Sequence, residues 1–242
     1  MDTPYSCVIS LADIPLRLRF HFSEAAALFS AFTVETDPVE DLLISDDEWA
    51  YMCGRGFSFD AHNEASFLTA FCSDALLPYE RCVFHAVAVR FRDRAWLIAA
   101  PPGVGKSTQA RVLQELWPGE FSVICGDRPV LQLTDDGGVF VHPSPWNGKE
   151  NWHGADGAPL EGIIFLCRGE SDDAYKLRPL DAVLPALNAL IQTGISEERI
   201  LQAAAFTTQL LERVPAYRLQ SENVPGSTII LYKKVIERED SL

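Results

Sequence analysis

Lys106, Ser107 and Thr108 follow two glycines spaced Gly-x-Gly, and no other stretch concentrates so much chemistry. In PPGVGKST (101–108), Gly103 and Gly105 let the backbone curl so that successive N–H groups point into one concavity, which binds anionic oxygens. A helical pattern opens at Lys106, with apolar Ala110, Val112, Leu113 and Leu116, and its first turn adds the positive end of a helix dipole. Lys106 can reach a β- or γ-phosphate as a point charge, and the Ser107 hydroxyl can ligate Mg²⁺. The apolar run Trp96 to Ala100 reads as a buried strand, so the order is strand, glycine loop, helix, the context a phosphate-binding loop needs. Gly103, Val104, Gly105, Lys106, Ser107 and Thr108 are the candidate phosphate-binding residues. One position departs from the usual pattern: Ala100 stands where its first glycine would be.

Asp127 is the strongest partner for this loop. It follows an apolar strand, Phe121 to Cys125, and in a strand–loop–helix–strand unit both strand ends open on one edge. An aspartate there can hold Mg²⁺ or accept a proton from an attacking hydroxyl; the plainer reading is a Gly-Asp turn. His85 sits in the alternation of FHAVAV, where a histidine taken alone reads as a structural residue. HPSPWNGKE (142–150) is fixed by two prolines and a glycine, and Trp146 and Lys149 make it a candidate acceptor-binding loop. The alternative is a surface loop with Trp146 tucked under it. His142 and His153 lack the tight spacing of a metal site. Arg168 and Arg178 follow the next apolar strand, where either could neutralise phosphate charge.

The elements that must position these groups are short. Cys7-Val8-Ile9, Leu16 to Phe22, Leu42 to Ser45 and Glu48 to Cys53 read as strands of a small antiparallel lobe, with turns at Asp37-Pro38 and Asp46-Asp47. Glu64 to Leu77 has helical spacing. Cys82 to Phe91 alternates as one strand and turns at Arg92-Asp93-Arg94 into the strand before the loop. Val130 to Leu133, Val139 to His142, Ile163 to Cys167 and Tyr217 to Leu219 read as further strands. Leu180 to Ile191 and Ser196 to Val214 read as helices, the second capped by Ser196. Ser227 to Glu237 is amphipathic as helix or strand. Residues 1–79 form a small β-rich N-terminal lobe with its linking helix, and residues 80–242 the nucleotide-binding domain.

The chain has 242 residues, 48% hydrophobic and 22% charged, the balance of a globular protein. A net charge of −14 removes any general attraction to nucleic acid or an anionic membrane. The six cysteines show no CxxC spacing and read as thiols in a reducing compartment. With no basic leader and no apolar run near the ~18 residues of a membrane helix, the expectation is a cytoplasmic protein.

The arrangement HAVAV, hairpin, PPGVGKST, helix, strand, GDRPVL resembles the catalytic domain of the HPr kinase/phosphorylase family. The resemblance spans roughly residues 80–240. It implies an α/β fold with a P-loop-containing mixed sheet core of the HPr kinase and phosphoenolpyruvate-carboxykinase-like type and a helical C-terminal tail. In that family a histidine lies on the strand before the glycine-loop strand, and His85 matches it. Lys106 and Ser107 match the ATP and Mg²⁺ residues. The catalytic Asp-Asp pair is matched by Gly126-Asp127, so only Asp127 carries over. The stretch at 145–149 and the tail ending in VPAYRL look like HPr-kinase-related proteins of peptide-maturation clusters. The arginine-glycine segment of true HPr kinases is not present in recognisable form. The resemblance implies ATP and Mg²⁺ as cofactors and catalytic roles for Asp127, His85 and Lys106. It also implies a protein or peptide hydroxyl as acceptor, and a homo-oligomer. Two alternatives stay open, a small-metabolite kinase and a catalytically weak ATP-binding regulatory subunit.

Overall fold

The computed structural model describes residues 3–152, 154, 156–222 and 224–237 of the chain, and His153 lies outside them. It begins with β1 (Tyr5–Leu11) and β2 (Ile14–Phe20), an antiparallel hairpin turned by Ala12 and Asp13, both with positive φ. Leu16, Leu18 and Phe20 alternate onto one face and are fully buried. After α1 (Ser23–Ala27), β3 (Glu40–Leu42) pairs with β2 in parallel, so this small sheet is mixed, not antiparallel throughout. The segment from Glu48 to Cys53 is helical. It belongs to α2 (Asp46–Gly54), so Asp46-Asp47 is a first helical turn and not a loop. The cause is local: the Ser45 side chain accepts from the Glu48 amide while the Glu48 carboxylate accepts from the Ser45 amide at 2.7 Å. Next, α3 (Ala61–Leu76) is capped by Asp60 and buries Ala65, Leu68 and Cys72 against the hairpin.

The alternating run from Cys82 to Phe91 is broken into two strands that enter different sheets. β4 (Arg81–Val83) leads to β5 (Ala86–Phe91), and Phe84 and His85 make the crossing. β6 (Arg94–Ala99) returns from the β5 hairpin, then α4 (Lys106–Leu116) and β7 (Phe121–Cys125) follow. β8 (Val130–Leu133) and β9 (Val139–His142) form a hairpin. The remaining elements are β10 (Ala158–Arg168), β11 (Asp173–Lys176), α5 (Pro179–Ala189), α6 (Glu197–Arg213), β12 (Ala216–Ser221) and α7 (Val224–Leu231), which runs into a wider turn at Tyr232–Ile236. Glu170 to Asp173 is thus the entry to an edge strand, and the amphipathic tail is helical.

β10 joins two sheets. Its first residues pair with β9, continuing β4–β8–β9, and its later ones lie between β6 and β12. The second sheet runs β7–β5–β6–β10–β12–β11. Within it β6, β10 and β12 are parallel, and β5 is antiparallel to both β6 and β7. β6, β7, β10 and β12 therefore end on the same edge. Both faces are covered: Leu97 and Ile163 pack beneath α5 and α6, while Trp96, Ile98 and Ile164 pack beneath α4 and α7. Burial on both faces explains why these strands read as continuous apolar runs. The protein is a mixed α/β fold, and no described helix is long and apolar enough to cross a membrane.

Gly162 in β10 faces the Trp96 ring so closely that an added Cβ would overlap it, and Trp96 is 1% exposed. Gly162→Ala is expected to cost about 1–3 kcal/mol in urea unfolding. An unchanged midpoint would show that the Trp96 ring yields freely.

Candidate functional site

The loop after β6 is built by its glycines. Gly103 and Gly105 adopt φ of +79° and +118°, conformations an L side chain resists, and a Cβ at either would meet no neighbour. Gly105 is the N-cap of α4, and no side chain caps that helix end; α2, α3 and α6 are capped by Ser45, Asp60 and Ser196. The first-turn N–H groups of α4 thus have no side-chain cap, and such groups can accept an anion. Val104 is half-buried, Ser107 half-buried and Thr108 exposed.

Lys106 is only 9% exposed. Its Nζ donates to the Ala100 carbonyl at 3.0 Å and lies 3.2 Å from His85 Nε2. Burial lowers its pKa; the Asp127 charge opposes that, and the Arg128 charge adds to it. Asp127 follows β7 and brings Oδ1 to 3.3 Å from the same His85 nitrogen. That nitrogen accepts from Lys106 only with a lone pair and donates to Asp127 only with a proton, so one protonation state satisfies one neighbour. The backbone fixes this meeting: Ala86 N–H donates to the Asp127 carbonyl at 2.9 Å, and His85 N–H donates to the Ala189 carbonyl at the end of α5 at 2.7 Å.

The sequence reading missed Arg128, whose Nε lies 3.2 Å from Asp127 Oδ2 as an ion pair by proximity, without hydrogen-bond alignment. Its Nη1 donates to Thr69 Oγ1 at 2.7 Å and its Nη2 to Ser66 Oγ at 3.2 Å, tying the site to α3. Only its place beside Asp127 could have signalled it. Burial is the largest influence on Asp127 and pushes its pKa up. The His85 hydrogen bond and the charges of Arg128, His85 and Lys106 together outweigh it and hold the carboxyl below its ordinary value. Such a group holds positive charge well and takes protons poorly near neutral pH.

Trp146 stands elsewhere. It is 8% exposed, its ring packs edge-on against Phe29 at 5.5 Å, and its indole N–H donates to the Ala65 carbonyl at 2.9 Å. The ring is tucked under the loop and offers no face for stacking an acceptor. Lys149 is exposed. Arg168 reaches the glycine loop, donating to the Gly103 carbonyl at 3.4 Å, while Arg178 is an exposed partner of Asp181 at 2.7 Å. His142 is bonded to Gln132 at 2.8 Å, and no cluster of three His, Cys, Asp or Glu residues suited to a metal occurs among the described residues.

The loop over Asp127 also explains Gly126. A Cβ there would overlap the Asn147 carbonyl oxygen and lie 3.1 Å from that of Trp152, to which Gly126 N–H donates at 2.8 Å. No acid fits at 126. Gly126→Asp is expected to destabilise the fold by more than about 2 kcal/mol and to gain no activity; a stable, more active variant would refute this account. Asp127→Asn is expected to cost about 1–2 kcal/mol at neutral pH. Because the folded pKa is depressed, that stabilisation is present above the unfolded value of about 3.9 and is lost as pH falls through the folded one. Denaturation of the two proteins should therefore converge in acid.

No family profile matches the chain, and no curated protein matches it. Among solved structures, that of the Hpr(Ser) kinase/phosphatase from Coxiella burnetii is similar over 65% of this chain and 99% of that one, at 12% identity and a TM-score of 0.38. At that level the likeness decides neither fold family nor activity.

Proposed function

We propose that the protein is an ATP-dependent phosphotransferase resembling HPr kinase, acting on a serine or other hydroxyl of a protein or peptide. One observation carries the reading: Lys106, His85 and Asp127 converge, at 3.2 and 3.3 Å through a single histidine nitrogen, beside a glycine loop that opens an uncapped helix. The amides of residues 103–108 and Lys106 would hold the β- and γ-phosphate oxygens. Ser107 and Asp127 would hold Mg²⁺, which needs few protein ligands when phosphates and water supply the rest. Each Asp127 oxygen has a second lone-pair site beyond its cationic neighbour, so the donor set suits the ion. Bound ATP and Mg²⁺ supply a transferable phosphoryl group: the acceptor oxygen bonds to the γ-phosphorus, the bond to the β–γ bridging oxygen breaks, and ADP leaves with that electron pair.

The chain's own part is positioning and charge neutralisation. Asp127 orients His85 and balances Lys106 and Arg128. Since its carboxyl is held below the ordinary range, it accepts the hydroxyl proton only late, as the new ester bond forms. Arg168, bonded to the Gly103 carbonyl, steadies the loop from the end of β10.

Calorimetry should detect ATP binding in the presence of Mg²⁺, weakened about ten- to a hundredfold by Lys106→Ala. With labelled ATP and candidate peptides, Asp127→Asn should lower transfer at least about a hundredfold. Equal transfer by both proteins would remove Asp127 from the mechanism. Binding without transfer to any hydroxyl compound would favour a nucleotide-binding regulatory subunit.

A further inference from the structure

A groove of about 540 Å³ lies between α2, α3 and the connection from α5 to α6, and neither the glycine loop, His85 nor Asp127 lines it. Phe67 and Phe71, one turn apart on α3, give it an apolar side together with Ala70. Tyr51 and Met52 of α2 and Ile195 complete that lining. The hydroxyls in the wall are engaged within the chain: Ser66 Oγ accepts from Arg128, and Thr193 Oγ1 donates to Asp74 and accepts from the Ile195 amide at 3.3 Å. Tyr51 is 64% exposed and Ile195 71%. Phe57, also exposed, sets its ring edge-on to that of Phe67 at 5.1 Å, so the apolar surface runs on past the groove. A small-molecule site encloses most of its ligand. Apolar surface that spills over the rim instead suits a macromolecular partner.

Charge narrows the kind of partner. The charged wall residues are Asp47 and Glu48, with no Lys, Arg or His among the described lining. Glu48 is held in the capping box of α2, where one oxygen accepts from both the amide and the hydroxyl of Ser45 at 2.7 Å. Asp47 is exposed and has no side-chain partner among the described residues. A second copy of a chain with net charge −14 would bring like charge to this rim, whereas a basic segment would complement it. Two helices that flank an apolar groove offer the geometry in which an amphipathic helix lays down its apolar face.

We propose that this groove is a docking site for an amphipathic helix of a partner protein, its apolar side chains over Phe67 and Phe71 and a Lys or Arg facing Asp47. The proposal is independent of the phosphotransferase reading. Ser66 belongs both to the groove wall and to the partners of Arg128, so a docked helix would lie against the turn of α3 that fastens the ionic partner of Asp127.

The test is selection from a phage library of helical peptides of about 18 residues, randomised at their apolar and charged positions, against the nucleotide-free full chain. Enriched peptides are then synthesised with a fluorophore and titrated by anisotropy. They should combine apolar residues at i, i+3 or i+4 spacing with at least one Lys or Arg. Ile195→Lys, at an exposed rim position, should weaken their binding at least about tenfold. Asp47→Asn should weaken it about two- to fivefold at low salt and less at high salt. Leu180→Lys makes the same kind of change at an exposed position outside the groove and should alter binding less than about twofold. Urea unfolding confirms that each variant folds, and Tyr51→Ser on α2 gives a second reading of the rim. Equal weakening by Ile195→Lys and Leu180→Lys would overturn the proposal, as would enriched peptides without a cation or no enrichment over an empty surface. In that last case, a dimer that Ile195→Lys dissociates in sedimentation would give the groove to a second copy. An apolar dye bound by the wild type and not by that variant would give it to a small molecule.

Discussion

Burial disfavours the charge on Lys106, a residue only 9% exposed, and the nearby Asp127 carboxylate opposes that effect. An uncompensated buried ion costs several kcal/mol, more than any single packing contact nearby returns. The surroundings follow from this. β7 must end on the same edge as β6 so that Asp127 reaches the loop across one intervening strand; the order β7–β5–β6 and the shared direction of β6 and β7 ensure it. Asp127 is in turn surrounded by His85, Arg128 and Lys106, so its own charge is favoured despite burial. The arrangement holds charge well and shifts protons weakly. That matches phosphoryl transfer, in which positioning and electrostatics outweigh proton abstraction.

One turn of α3 carries this constraint outward. Ala65, Ser66 and Thr69 accept from Trp146, Arg128 and Arg128 respectively, so both the loop over Asp127 and its ionic partner are fastened to the same stretch of helix. Trp146 also packs with the buried residues of the β1–β2 hairpin. A helix that reads in sequence as a mere link is therefore part of the framework of the site. Loosening it would move Arg128 and the 144–152 loop together, and Asp127 with them.

How much of this was legible depends on whether a residue's role is set locally. Lys106, its two glycines and the strand–loop–helix order are local, and the chain spelled them out. Asp127 followed from topology, since a strand after the helix must end on the same edge. The break at Phe84-His85 left no mark, because alternation continues through it and both sheets demand that alternation. Backbone carbonyls distant in sequence, those of Ala189, Asp127 and Pro129, hold the crossing. The segment Glu48 to Cys53 was legible but misread: Ser45-x-x-Glu48 is a capping-box signal that outranks the β-like aromatic content after it. Arg128 was illegible as a tie between Asp127 and α3, since its partners Ser66 and Thr69 lie far away in sequence.

Two departures from the resembled family pattern have opposite physical meanings. Ala100 replaces a glycine, yet it is not among the residues with positive φ, and its contribution to the site is a backbone carbonyl that accepts from Lys106. A methyl group there disturbs nothing that the loop's curvature requires, because that curvature is made at Gly103 and Gly105. Gly126 replaces an acid, and there the geometry forbids any side chain, since the Asn147 and Trp152 carbonyls close over it. The first substitution leaves the loop's backbone conformation undisturbed. The second leaves Asp127 without a carboxylate neighbour at 126, so under the phosphotransferase proposal a divalent ion there would depend more heavily on phosphate oxygens and water than on protein. Metal affinity would then be low in the absence of nucleotide and would rise with it, because the nucleotide brings most of the ligands.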